Sequence, residues 1–227
     1  MIDREIKSSV TGRNETKKES SCTGVLLARA EECIRKQNVN AGNDPTLMQK
    51  EHDRLKHFAA IIVYTPEPWP VPSEQAERMI AVAKVLVAQI ENGVGLGSSL
   101  DVEPFQLAIE LYKLAGNDPE NKEMADQALP DIVNAADNMP LASCLVNLNY
   151  ALSHSECIYS ASRKMDAANL KETLVDAFLR NASRVKDPAA KAWQLNGVRN
   201  YANERQMRQI QEARKTECGS PETFGPI

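Results

Sequence analysis

Ala41-Gly-Asn-Asp-Pro45 and Ala115-Gly-Asn-Asp-Pro119 are the same five residues used twice in one chain of 227. Read locally, the string separates two helices. Glycine supplies the left-handed residue that ends one, aspartate caps the next, and proline fits its first turn, where no N–H is missed. A third Asp-Pro, Asp187-Pro188, follows another apolar periodic run. The spacing therefore predicts a train of helices divided by sharp breaks.

Working outward, the polar stretch 1–19 (MIDREIKSSVTGRNETKKE) has no apolar period and is expected to be disordered. A first helix is expected from Ser20–Thr23 to Gln37, burying Leu26, Leu27, Ala30 and Ile34, and a second from Pro45 through Tyr64, with Met48, Leu55, Ala59 and Ile62 on one face. PEPWPVP, with prolines at 66, 68, 70 and 72, admits neither helix nor central strand and reads as a stiff connector carrying Trp69. Ser73 should cap a third helix whose narrow polar stripe is Glu77, Lys84 and Glu91, the mark of a central helix. A fourth is expected over 103–115, and a fifth from Pro119 that Pro130 should kink or break. A sixth should follow Pro140, a seventh Asp166, and one long eighth Asp187, apolar around Trp193, Leu195 and Val198. No segment reads as a strand. The expectation is an all-α, compact domain of about eight helices over 20–218, with stacked helical hairpins as one arrangement and 219–227 as a tail.

Around the fourth helix, Ala108, Tyr112, Ala115 and Pro119 resemble the second half of a tetratricopeptide unit, which would imply stacked hairpins. The resemblance covers one helix and has no second copy.

Composition excludes several functions. The net charge is −4, with no membrane-length apolar run and no secretory signal core, so no membrane span is expected. The five cysteines (22, 33, 144, 157, 218) show no ligand spacing and read as free thiols. His52 and His57, five apart, point about 140° from each other on a helix and cannot share a metal as an i, i+4 pair does. Neither a metal nor another cofactor is expected. Gly93–Ser99 (GVGLGSS) lacks the last glycine of GxGxxG and the lysine of a phosphate loop, so it reads as a connector.

Charge is unevenly spread. Residues 101–137 carry nine acids against Lys113 and Lys122, whereas 186–218 carry seven bases against four acids. The bases do not align on one face, so no nucleic-acid partner is expected. The acidic block reads first as a solvated face, and second as a docking surface for a protein with a basic surface. Candidate contact residues are Trp69, Glu120, Glu123, Asp126, Tyr150 and His154. The leading expectation is a non-enzymatic protein–protein interaction module. Residues 1–19 resemble in composition the leaders of bacterial type III secreted effectors, which implies export without a signal peptide; otherwise a cytoplasmic location is expected. The competing expectation is a helical enzyme using the acidic residues or a thiol pair, Cys157 and His154, spaced i, i+3 so that an imidazole can activate sulfur.

Overall fold

A computed structural model describes residues 22–40, 44–65, 70–91, 103–155 and 168–217. They form nine α-helices: α1 (Cys22–Asn40), α2 (Pro45–Tyr64), α3 (Ser73–Glu91), α4 (Glu103–Gly116), α5 (Lys122–Asn134), α6 (Leu141–Ser153), α7 (Ala168–Ala182), α8 (Pro188–Val198) and α9 (Glu204–Glu217). No strand occurs among the described residues. The fold is all-α and compact, as expected.

All three Asp-Pro steps start helical structure. Asp44 Oδ1 accepts from the backbone N–H of Thr46 and Leu47 at 2.9 and 3.2 Å, and Asp187 accepts from Ala189 and Ala190 at 3.3 and 3.1 Å. Asp118 accepts from Glu120 N at 2.9 Å, opening a 3-10 turn over Pro119–Asn121 that leads into α5. Each carboxylate satisfies orphan donors and sits at the positive end of the helix dipole.

Other boundaries differ from expectation for local reasons. Ser73 is the first residue of α3 rather than its cap, and the Pro72 carbonyl accepts from Gln75 and Ala76 instead. α5 runs through Pro130 to Asn134 before a 3-10 turn over Ala135–Asn138. Pro130 faces solvent, so its missing N–H costs the core nothing. The long eighth helix is in fact two. A 3-10 turn at Arg199–Tyr201 ends α8, and Asn203 and Gln206 form a reciprocal capping box: Gln206 N donates to Asn203 Oδ1 at 3.0 Å and Asn203 N to Gln206 Oε1 at 3.1 Å. The sixth helix ends sooner than expected, at Ser153, with His154 as its C-cap, so His154 and Cys157 do not share one helix as i, i+3. The expected seventh-helix cap, Asp166, lies outside the described residues, as do 1–19, Gly93–Ser99 and 219–227.

Packing follows chain order. α1 and α2 lie together on α3 and α4; α4 and α3 lie on α5; α5 and α6 pack on α7; and α8 and α9 cover α7. The centre is α4 more than the expected α3. Phe105, Leu107, Ala108, Ile109, Leu111, Tyr112 and Ala115 are all buried, whereas α3 keeps Glu77, Ala81 and Lys84 exposed. With few aromatics, the core is built from Ala, Val, Leu and Ile, and the alanines (76, 83, 108, 115, 125, 128) let helix axes approach closely.

Candidate functional site

The acidic stretch is largely neutralised within the molecule. Glu103 approaches Lys56 of α2 at 3.6 Å, Asp131 meets Lys84 of α3 at 3.1 Å, and Asp137 meets Arg180 of α7 at 2.9 Å. Glu110 pairs at 2.9 Å with Lys113, which is only 7% exposed and also donates to the His154 carbonyl at 2.6 Å, tying α4 to the end of α6. Burial opposes the charged form of Asp126. Hydrogen bonds from Lys122, Tyr112 (2.9 Å) and Asn169 outweigh it and hold the carboxyl below its ordinary range. Of the three expected acidic contact residues, Glu120 and Glu123 are exposed with no base paired to them among the described residues, and Asp126 is engaged. Glu123 and Asp126 line a shallow hollow with Pro119, Lys122 and Gln127.

Tyr150 on α6 and His154, the helix's C-cap, meet with their rings stacked at 4.0 Å and 23°. A carbonyl can only accept, so His154 Nδ1 carries the proton that it donates to Tyr150 O at 2.8 Å. Both rings are half-buried. Asn147, three residues before Tyr150 on α6, is fully buried and donates to the Ser143 carbonyl at 2.8 Å. Trp69 and Cys157 lie outside the described residues.

Neither buried thiol suits nucleophilic chemistry at neutral pH. Burial, then a hydrogen bond to Glu51, pushes Cys33 up to about 11, and burial with Asp137 nearby pushes Cys144 up to about 12. His52, fully buried, hydrogen-bonds through Nδ1 to Gln89 Oε1, and Gln89 Nε2 donates to Gln37 Oε1 at 2.6 Å. It is a core histidine. Among the described residues no group of three or more His, Cys, Asp or Glu is arranged to hold a metal, and no helix is long and apolar enough to cross a membrane.

Two features escaped the sequence. Trp193, read as part of the eighth helix's apolar stretch, is 73% exposed on α8, on a face with Ala189, Ala190 and Gly197. The second is an open groove of about 410 Å³ between α7, α8 and α9. Leu179, Leu195 and Ala213 give it apolar surface, and Arg180, Lys191, Arg205 and Asp176 give it charge. The i, i+4 series 205, 209, 213 was a signal for one wall, but nothing in one dimension told that it faced Lys191 and Leu195. Neither the groove nor the α5 hollow includes Tyr150 or His154.

Compared with family models, with curated proteins and with solved structures, the chain finds no match.

Proposed function

We propose that this chain is a helical protein-interaction module that meets its partner through the outer face of α8. The observation that carries the reading is Trp193, 73% exposed. Burying the rest of that indole is worth roughly 3–4 kcal/mol before association costs, and Trp is the residue type most enriched at binding hot spots. Gly197 adds support. A Cβ placed there would meet nothing within 4 Å, so no contact among the described residues requires glycine. Its cost to helix stability, about 1 kcal/mol relative to alanine, is accounted for if a partner approaches closely. Ala189 and Ala190 keep the same face flat and uncharged.

The test is site-specific photocrosslinking in cells, with a benzophenone amino acid at position 193 or at exposed Lys50 of α2. A discrete adduct from 193 and none from 50 is expected; no adduct at 193, or the same ladder from both, ends the reading. A benzophenone at Glu123 tests the acidic edge separately, with a basic partner expected there. The export setting implied by residues 1–19 belongs to the same proposal, and secretion of a reporter fused behind them tests it.

A further inference from the structure

The groove between α7, α8 and α9 has an apolar floor, and the cations beside it are already answered among the described residues. Leu179, Leu195 and Ala213 make the floor. Arg180 pairs with Asp137 at 2.9 Å, and Arg205 with Asp176 at 2.7 Å and Glu172 at 3.2 Å. Lys191 is half-buried and has a partner of its own. A charged visitor would lose its water and compete with these pairs, so the lining suits an uncharged apolar group. Both guanidinium groups spend in-plane donors on carboxylates, which leaves their flat faces for an aromatic ring. About 410 Å³ is room for one large ring and not for a whole helix.

The chain itself carries such a group. Trp193 is 73% exposed on the outer face of α8, among Ala189, Ala190, Asn196 and Gly197, none of them charged. These small neighbours let the indole project clear of the helix and enter a recess. Lys191 and Leu195, which line the groove, lie about 160° from Trp193 around the helix. Knob and recess therefore sit on opposite sides of α8, so no copy can fill its own groove.

We propose that Trp193 of one copy docks in the α7–α9 groove of a second copy of this chain. The indole lies on Leu179, Leu195 and Ala213, flanked by Arg180 and Arg205. This rests on the protein-interaction reading and names its partner. Because knob and recess face opposite ways, two copies cannot exchange both at once, and the contact is head to tail. Each added copy leaves one Trp193 and one groove open, so assembly continues beyond a pair. One ring in one groove buries less than the roughly 800 Å² per partner of a stable interface, so association is weak and depends on concentration.

The test is sedimentation of the full chain from about 10 μM to about 1 mM. The mean mass is expected to rise past two chains, and about 0.5 M salt to leave that rise unchanged. Trp193→Ala, and Ala213→Glu, which lays a carboxylate over the floor, should each weaken association about tenfold or more. Gln209→Glu, on the exposed wall, serves as a second groove variant. Trp193→Ala mixed with either groove variant should give a complex of one copy each and no larger, since the first keeps its groove and the second its Trp193. A wild type that stays single or stops at pairs, an assembly dissolved by salt, or failure of both mixtures to complement overturns the proposal. If the chain stays single while position 193 still crosslinks to another protein, the groove assignment alone fails. If position 193 yields nothing, the interaction reading fails with it.

Discussion

The α4–α5 region and the α7–α9 region invert what their charges suggest. The first has the larger charge imbalance, yet bases from α2, α3, α4, α5 and α7 answer most of its acids. The second is only mildly basic, yet Arg180 and Arg205, each paired to a carboxylate, border an open groove. A run of like charge measures what the chain carries, and folding decides how much of it faces a partner. What separates the two regions is where the paired groups lie: over packed helices in the first, and along the walls of an open groove in the second.

The comparison is easiest to break at Lys113. Lys113→Ala would leave Glu110 and the end of α6 without their cation in a nearly buried setting, and a loss of roughly 3–5 kcal/mol in urea unfolding is expected. A loss below about 0.5 kcal/mol would class the pair with surface salt bridges. Tyr112→Phe comes next, removing a hydrogen bond to a charged carboxylate, for about 1.5–3 kcal/mol at neutral pH. Asp126 has a folded pKa below its unfolded value of about 3.9. Its contribution is therefore complete above that value and fades as pH falls through the folded one. The gap between wild type and Tyr112→Phe should close in the same acid range; a gap that persists there means the hydroxyl is not serving the carboxylate.

Cys33 sharpens the interior side from the alkaline direction. Its folded value, about 11, lies above the ordinary one, so stability is complete below about pH 8.5 and falls as pH rises toward 11. Cys33→Ala should flatten that alkaline decline, and an unchanged slope in thermal melts between those pH values refutes it. The smallest effect is expected in the groove. Arg205→Gln should barely move the urea midpoint, with any loss vanishing in high salt, because Arg205 and its carboxylate partners are exposed. A cost as large as that of Lys113→Ala would erase the distinction between the regions.

The elements that sequence revealed are those with local causes. Asp44, Asp118 and Asp187 announced helical starts because a cap needs only its own next three residues. The Asn203-x-x-Gln206 box that divides α8 from α9 was equally local and is visible once sought. Trp193 misled because an apolar residue in an amphipathic run is usually buried, and here Leu195 and Val198 occupy the inward face instead. The groove depends on three helices meeting, which no spacing within one of them encodes.

The Gln37–Gln89–His52 chain bears on a different property, uniqueness. A core of interchangeable Ala, Val, Leu and Ile can slide by a helical turn at little cost in buried area, whereas an amide–imidazole relay fits only one alignment of α1, α2 and α3. Replacing all three with apolar residues of similar size should leave the melting temperature near its original value while broadening methyl NMR signals from these helices. The relay thus acts as a register mark, trading a little stability for one way of packing.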